Sequence, residues 1–312
     1  MIDCYNCISI LQGMMTINRQ LKGSLALLAA AFVWGMAFTA QSNAMRYVQP
    51  FTFVFLRSTI TCAVLLLAMP LFDRIGGKRS EPAAPPFRAH VKPGALIGIF
   101  LVLATILQQI GLVYTTPAKS GFVTALYIVI VPIMGIFLGR RVRPVVWLSL
   151  ALSLTGMVLL CVQSDLSINM GDLFTLGSAF MFSCQILMVA RYAANLDALK
   201  LSCVQFATCA VVSGVVAFLF ETPRIEGMLA CWTSILYVAV FSGALGYTLQ
   251  MVGQKYADPT LASLLMCLES VFAALGGWLL LGQALSPREL LGCALMLSAS
   301  VIAQLPERRV RA

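Results

Sequence analysis

Charged residues are scarce in this chain. Asp, Glu, Lys and Arg make up 11% of its 312 residues, whereas a soluble domain carries roughly 25%. Hydrophobic residues account for 60%, so the composition excludes an ordinary soluble domain and indicates a protein that crosses a membrane many times. The formal net charge of +9 does not predict nucleic-acid binding, because the Lys and Arg residues occur in short clusters between apolar runs, where they orient membrane proteins.

Residues that carry hydrolytic or phosphoryl chemistry are also few. The sequence has one His, His90, which falls in a predicted loop, and it lacks paired acidic motifs. It has no G-x-x-x-x-G-K-[ST] loop, so ATP is not expected to be its direct energy source. Among ten Cys, only Cys4 and Cys7 have a metal-like spacing, and a lone C-x-x-C pair does not predict a zinc site. We expect neither a metal nor a cofactor.

Ten apolar runs dominate the rest of the chain. Each is long enough to cross the ~30 Å hydrocarbon core of a bilayer as a helix. The runs predict an all-α polytopic membrane protein with ten transmembrane helices. Their predicted bounds are residues 23–43, 50–72, 95–115, 117–138, 145–163, 172–192, 201–220, 229–252, 260–282 and 287–304.

Polar segments divide the chain further. Residues 1–21 form an N-terminal extension, residues 73–94 a loop rich in Pro, Gly and basic residues, and residues 305–312 a basic tail. Residues 22–163 and 164–304 then hold five helices each. Sixteen of the 21 Lys and Arg residues fall on the side of the membrane that holds the N-terminus, which predicts that both termini and the loop are cytoplasmic. We expect a multi-pass protein of the plasma (inner) membrane.

An internal duplication relates the two halves. The pattern Q-x-x-G-x-x-Y-x-x-P starts at Gln108 and again at Gln250, 142 residues later, and residues 23–63 overlay residues 171–211 without a gap at an offset of 148. Because each half has an odd number of helices, the second half enters the membrane from the opposite side. We therefore expect two inverted repeats, an arrangement that serves alternating access.

Several stretches carry motifs in the same order in which a known family has them. They are FVWGMAF at 32–38, FVFLRS around Arg57, LVYTTPAKSGFVTALY at 112–127 and LESVFAALGGWLLLG at 268–282. With its helices arranged as five plus five, the chain resembles the EamA branch of the drug/metabolite transporter superfamily over about residues 22–304. The resemblance implies movement of small metabolites, often outward, through a central cavity between the halves.

The sequence departs from this family's pattern in two places. Ser270 stands where a proline commonly follows the Glu, and Arg140 and Gln283 stand where a Glu commonly follows Leu-Gly. A proline kink beside Glu269 therefore lacks its proline, and the two corresponding helices lack an acidic end.

Glu269 is the main candidate for a functional residue. It lies about ten residues into its span, roughly 15 Å at 1.5 Å per residue. Loss of water near the midplane disfavours a charged carboxylate, so Glu269 either exchanges a proton during a transport cycle or braces a neighbouring helix by hydrogen bonding. Tyr127 aligns with Glu269 at the 142-residue offset, and it either approaches the same cavity from the first half or packs in the core.

Five further residues are candidates for the same site. Gln108 and Gln250 share a helical face with the Gly of the repeated pattern, where they either line a cavity or bond between helices. Trp34 and Gln185 occupy mid-span positions in the paired first helices of the halves, and we expect both to face the cavity. Arg57 lies about 10 Å from the outer end of its span, where it snorkels outward, bonds a neighbouring helix or contacts an anionic substrate.

These observations favour a secondary transporter that moves small metabolites by alternating access. Aromatic, amide and small groups suit amphiphilic compounds such as amino acids, and we expect an exporter with protons as the candidate coupling ion. Its partners are then a small-molecule substrate and the lipid bilayer. A channel or a membrane scaffold is the alternative interpretation, and an integral membrane enzyme is a weaker one.

Overall fold

The computed structural model describes residues 2–75, 85–115, 117–161, 169–281 and 285–305, with side chains described for residues 20–71, 85–115, 119–161, 169–276, 278–279 and 285–305. Every regular element in these ranges is a helix. The elements are α1 (Ile2–Ala44), α2 (Pro50–Ile75), α3 (Phe87–Tyr114), α4 (Pro117–Thr124), α5 (Tyr127–Phe137), α6 (Pro144–Cys161), α7 (Met170–Tyr192), α8 (Ala198–Phe220), α9 (Ile225–Ala230), α10 (Trp232–Tyr237), a π-helical segment (Val238–Gly246), α11 (Tyr247–Gln254), α12 (Pro259–Met266), α13 (Glu269–Leu281) and α14 (Pro287–Ala303).

The described part of the chain contains nine stretches that are long and apolar enough to cross a membrane. They are Gln20–Ala44, Pro50–Leu71, Phe87–Tyr114, Lys119–Phe137, Pro144–Cys161, Met170–Tyr192, Ala198–Phe220, Trp232–Gln254 and Pro259–Gly276. The protein is therefore an all-helical, multi-pass integral membrane protein. The tenth predicted span corresponds to α14, which has 17 residues and is not among the nine, so its crossing of the membrane stays a prediction.

Helix α3 begins earlier than the sequence predicts. Residues 87–94 were expected in the polar loop, but they form the first two turns of α3, with Pro93 inside the helix. His90 explains why these turns are ordered. Its side chain is fully buried, and its Nε2 accepts a hydrogen bond of 3.1 Å from the backbone N–H of Asp197, which precedes α8. Tertiary packing outweighs the local preference of Pro and Gly for a loop. Most of the remaining loop, residues 76–84, lies outside the described residues.

The predicted span 117–138 is not one continuous helix. Helix α4 ends at Thr124 and α5 begins at Tyr127. Between them the backbone tightens, since the N–H of Leu126 bonds the carbonyl of Val123 at 3.2 Å, three residues back instead of four. The interruption sets Tyr127 at the N-terminus of a new helix.

The predicted span 260–282 breaks at the matching place. Helix α12 ends at Met266 and α13 begins at Glu269. The N–H of Leu268 bonds the carbonyl of Leu265 at 3.3 Å, again three residues back. No proline takes part in this break, so the absence of a proline at Ser270 does not keep the helix continuous. The prediction of a single continuous helix is wrong for both spans.

A π-helical segment interrupts the span that contains Gln250. It leaves backbone carbonyls with altered partners, and two side chains from the first half donate to them. Thr61 Oγ1 donates to the carbonyl of Ala239 at 2.7 Å, and Trp34 Nε1 donates to the carbonyl of Ser242 at 3.1 Å. Contacts with α1 and α2 thus stabilise a geometry that no local sequence signal predicts.

The two halves of the chain pack against each other along several helix pairs. Helix α3 packs on α7 and α8, α2 packs on α8, and α1 packs on α11, α12 and α13. Glu221, at the end of α8, accepts hydrogen bonds from the backbone N–H groups of Phe51 (2.9 Å) and Thr52 (2.7 Å). Its carboxylate thereby caps the N-terminus of α2, where a negative charge is favourable. The central helices meet around one polar site.

Candidate functional site

A cavity lies between the two halves of the chain. The volume of the cavity is about 50 Å³, counted as the space that the centre of a water-sized sphere can occupy. One water needs roughly 10–15 Å³ when volume is counted in this way. The cavity as it stands therefore has room for a few waters. Its lining comes from both halves and consists of Trp34, Phe38, Gln41, Arg57, Gln108, Thr124, Tyr127, Phe182, Gln185, Ile186, Ser242, Tyr247, Gln250, Met266 and Glu269.

The structure brings together all seven residues that the sequence singled out. Each of them lines the cavity, namely Trp34, Arg57, Gln108, Tyr127, Gln185, Gln250 and Glu269. Sequence reasoning missed eight further lining residues, which are Phe38, Gln41, Thr124, Phe182, Ile186, Ser242, Tyr247 and Met266. Helical spacing from the seven would have found several of the eight, because residues three, four or seven positions apart share a helix face. The roles of the seven residues stay predictions.

Glu269 and Tyr127 meet at the centre of the site. The Tyr127 hydroxyl donates a hydrogen bond of 3.2 Å to Glu269 Oε1, and the two residues are only 6% and 4% exposed. Each is the first residue of a helix, Tyr127 of α5 and Glu269 of α13. Gly35 lets α1 approach closely, because any side chain there would collide with the backbone carbonyl of Glu269. Packing thus holds this carboxyl in a fixed place.

Arg57 lies in the same cavity and does not snorkel outward. It is 5% exposed, and its guanidinium donates a hydrogen bond of 3.2 Å to Gln41 Oε1 on α1. Gln109 donates to the same oxygen at 2.7 Å. The Arg57 Nε group is buried and has no hydrogen-bond partner. Of the three roles that the sequence suggested for Arg57, the structure shows the hydrogen bond to a neighbouring helix.

Arg57 and Glu269 do not pair with each other. Within the described ranges the ion pairs are Lys119 with Asp172 at 2.7 Å and Arg140 with Asp258 at 3.7 Å. No described carboxylate oxygen therefore lies within 4.0 Å of the Arg57 guanidinium. The cavity holds one cationic side chain and one carboxyl group at separate places.

The amide side chains both line the cavity and join helices. Gln185 and Gln250 exchange two hydrogen bonds, of 3.0 and 3.3 Å, between α7 and α11. Gln108 Nε2 donates to Thr124 Oγ1 at 3.2 Å, which joins α3 to α4. Cavity lining and interhelical bonding are therefore not alternatives at these positions. An amide is neutral and has donors and acceptors, so it can also exchange these partners for a polar solute.

Aromatic side chains form one wall beside these polar groups. The rings of Trp34 and Tyr247 pack with centroids 4.9 Å apart, and Phe206 packs edge-on against Tyr247 at 5.3 Å. The Trp34 indole is held in place by its hydrogen bond to Ser242. The wall offers apolar area within reach of Arg57 and the amides, a combination typical of small-molecule sites.

Most lining positions occur in matched pairs. The 148-residue offset relates Trp34 to Phe182 and Phe38 to Ile186, and the 142-residue offset relates Gln108 to Gln250, Thr124 to Met266 and Tyr127 to Glu269. All ten of these residues line the cavity. Arg57 differs, because its counterpart Gln205 is neutral and is not a lining residue.

Two matched glycine contacts flank the cavity. Near one end, a Cβ added at Gly171 would lie 2.8 Å from the carbonyl oxygen of Gly111, so α3 and α7 touch backbone to backbone. Near the other end, a Cβ added at Gly253 would lie 2.9 Å from the carbonyl oxygen of Gly23, so α11 and α1 touch in the same way. The ion pair between Lys119 and Asp172 adds a polar contact at the first end.

Metal-binding groups are not assembled in the part of the chain that the structure describes. No cluster of three or more His, Cys, Asp or Glu side chains occurs there. The side chains of Cys4 and Cys7 lie outside the described residues.

The described helices thus form an apolar bundle around a buried polar cavity. The model of the EamA-like transporter family matches residues 21–162 and 169–304. The chain therefore belongs to the EamA-like transporter family, and the expected resemblance is confirmed. The two matched segments together cover most of the chain, and their boundaries fall close to those of the two predicted repeats.

Known relatives agree with this assignment. The chain is 28% identical over 293 residues to an uncharacterized transporter of Archaeoglobus fulgidus, which covers 92% of this chain and 87% of that protein. It is 28% identical over 303 residues to the uncharacterized transporter YwfM of Bacillus subtilis, with 92% and 95% covered. A solved crystal structure superimposes with a TM-score of 0.74 at 21% identity, covering 93% of this chain and 99% of that one. At that identity the likeness shows a shared fold.

Proposed function

We propose that the protein is a secondary transporter that exports small amphiphilic metabolites, such as amino acids, by alternating access. The observation that carries this proposal is the cavity, because both halves of the chain build it and five pairs of matched positions line it. Amide groups, one guanidinium, one carboxyl and an aromatic wall suit a small solute with both polar and apolar parts. The single cavity then opens in turn to each side of the membrane.

The proposal includes two inverted five-helix repeats and ten membrane crossings, the last of them made by α14. The matched breaks before Tyr127 and Glu269 support it. The two glycine contacts support it further, because the offsets relate Gly111 to Gly253 and Gly171 to Gly23. In inverted repeats such matched contacts exchange their states, so that one loosens while the other stays closed. Each contact would serve as the closure of one side.

We further propose that Glu269 couples transport to protons. Its carboxyl is buried and accepts a hydrogen bond from Tyr127, and no described cation pairs with it. Burial favours the neutral acid, whereas water in an open cavity favours the carboxylate. A cavity that alternates between dry and hydrated states would therefore bind and release a proton once per cycle.

The orientation belongs to the same proposal. Positive charges cluster on the side that holds the N-terminus, so both termini face the cytoplasm and the protein lies in the plasma (inner) membrane. In this orientation the Lys119–Asp172 ion pair lies at the outer end of the cavity and Arg140–Asp258 lies at the inner end.

Counterflow in proteoliposomes tests the proposal. A screen for metabolites that become less toxic to cells with the protein first supplies candidate solutes. Vesicles preloaded with such a solute should then take up the labelled solute faster than empty vesicles, because a carrier exchanges solute across the membrane. Uptake without any acceleration by internal solute would indicate a channel, and no uptake of any screened solute would favour a scaffold or an enzyme. Vesicles without protein are the control.

A further inference from the structure

Arg57 is a buried cation, and the described part of the chain places no carboxylate beside it. It is 5% exposed, its Nε group has no partner, and no described carboxylate oxygen lies within 4.0 Å of it. A guanidinium stays charged in proteins, and a buried charge is costly unless it is paired. We infer that the transported solute carries a carboxylate that binds Arg57. This inference rests on the proposed transport function, since it names a chemical feature of the transported solute.

The guanidinium geometry suits a carboxylate. A terminal guanidinium nitrogen donates a hydrogen bond to Gln41 Oε1, which is a neutral acceptor. The unpartnered Nε belongs to the planar fork of donors that binds the two oxygens of a carboxylate side by side. Gln109, bonded to the same Gln41 oxygen, fixes the position of Gln41 from α3. The site thus holds a positioned cation with no carboxylate partner among the described residues.

The position in the second half that matches Arg57 carries no charge. The matched position in the second half is Gln205, which is fully buried and accepts a hydrogen bond of 3.4 Å from Gln185. A neutral amide therefore fills the equivalent place between helices. The charge of Arg57 therefore makes the two halves of the site unequal. A solute with one anionic group would bind with that group towards Arg57.

Glu269 does not supply the missing anion. Its Oε1 accepts a hydrogen bond from Tyr127. Apart from the two tyrosines, Arg57 and Glu269 are the ionisable residues of the described lining. The aromatic wall of Trp34 and Tyr247 lies on the same cavity, and Tyr247 is near enough to Arg57 to interact with it electrostatically. The matching ligand has an apolar body next to its carboxylate.

Four matched probes test the inference on the purified full-length protein. They are 3-phenylpropanoate, 3-phenylpropanamide, phenylalanine and phenylalaninamide. The two carboxylates should raise the apparent melting temperature in a saturable way, and each amide should bind at least about 10-fold more weakly, because it lacks the charge-assisted pair with the guanidinium. The comparison between 3-phenylpropanoate and phenylalanine decides whether the carboxylate belongs to a monoanion or to a zwitterion.

Variants then assign the preference to Arg57. Arg57→Gln should bind each carboxylate no better than its amide, and Arg57→Lys should retain part of the preference because it keeps the charge. The matched control is Arg46→Gln, which removes the same charge from an exposed position and should behave as the wild type does. If Arg57→Gln does not fold, the amide comparison on the wild type and the Lys variant still decide.

Three results of the binding measurements would overturn the inference. They are equal binding of carboxylates and amides by the wild type, an undiminished preference in Arg57→Gln, and no stabilisation by either carboxylate at about 10 mM, above the ~1 mM upper end of usual KM values. Failure of the inference is distinguishable from failure of the proposed function. Counterflow of a solute that lacks a carboxylate would support the proposed transporter and refute the carboxylate inference. Carboxylate-specific binding without counterflow of any solute would support a carboxylate site and refute the proposed transporter.

Discussion

The glycine contacts between the halves lead to a quantitative prediction. A Cβ added at Gly253 would lie 2.9 Å from the carbonyl oxygen of Gly23 and 2.5 Å from Leu27 Cγ, whereas ordinary contact begins at 3.4 Å. The side chain of Leu27 can turn, but the carbonyl is backbone. Helices α11 and α1 must therefore separate by about 0.5 Å, the difference between 3.4 and 2.9 Å, to admit even an alanine.

The matched contact at Gly111 is equally tight. A Cβ there would collide with Thr175 Oγ1 and would lie 3.0 Å from the carbonyl oxygen of Gly171. Overpacking of this kind costs about 1–3 kcal/mol, and a leucine at either position costs more than an alanine. Because closely packed small residues hold membrane helices together, we expect both Gly111→Ala and Gly253→Ala to lower stability and to slow transport.

Thermal unfolding of the purified variants measures the effect. Gly177→Ala is the matched control, because its added Cβ would lie 3.4 Å from the flexible end of Leu107. We expect Gly111→Ala and Gly253→Ala to melt at least about 3 °C below the control, since 1 kcal/mol shifts the melting temperature by roughly 2–4 °C in a chain of this order of size. Equal melting temperatures for all three variants would refute the close packing at both ends of the cavity.

Two further predictions concern orientation and the outer ion pair. A cysteine that replaces Arg88 should be protected from an impermeant reagent added to intact cells, and one that replaces Arg46 should react; labelling of the first position but not of the second would invert the assigned topology. Asp172→Asn loses the charge that pairs with Lys119 at 2.7 Å and keeps only one of the two side-chain oxygens that accept from Thr115 and from the backbone N–H of Asn169, so stability should fall by about 1–3 kcal/mol. Asp258→Asn removes an exposed ion pair of 3.7 Å and should cost less than about 1 kcal/mol; equal losses in the two variants would show that the Lys119 pair contributes nothing beyond surface charge.

Hydropathy and the duplication predicted much of the membrane architecture, because both depend on patterns that extend over whole spans. Nine of the ten predicted spans correspond to helices that can cross a membrane. The same patterns located the cavity, since polar residues at mid-span positions are costly towards lipid and therefore face the protein interior. Glu269 and Tyr127 were paired by the 142-residue offset alone, and their side chains share a hydrogen bond.

The interruptions of the helices were not predictable in the same way. The breaks before Tyr127 and Glu269 need neither a proline nor a glycine at the break, and the π-helical segment depends on donors from Thr61 and Trp34. These donors come from a distant part of the chain. Local propensity carries no information about such partners, so a pattern read along one helix predicts a continuous helix.

Two lining residues, Tyr247 and Gln41, were not predicted for a related reason. Tyr247 lies three positions before Gln250, and Gln41 lies seven positions after Trp34, so helix geometry places each on the face of a predicted site residue. Neither is set apart by composition, since a tyrosine or a glutamine in a span is also used for packing. Their contact with Arg57 appears only when α1, α2 and α11 are brought together.

Glu269 provides the most direct test of proton-coupled transport. Wild-type protein, Glu269→Gln and the control Glu226→Gln, whose side chain is exposed, should be reconstituted in matched vesicles and assayed for net transport under an imposed pH gradient and for counterflow without one. The Gln variant keeps the size of the side chain and its acceptor for Tyr127 but does not titrate. We expect Glu269→Gln to lose transport driven by the pH gradient while Glu226→Gln retains it, and we expect solute exchange to persist in both. Transport by Glu269→Gln that responds to the pH gradient as the wild type does would refute proton coupling through Glu269 and leave this residue as a structural brace.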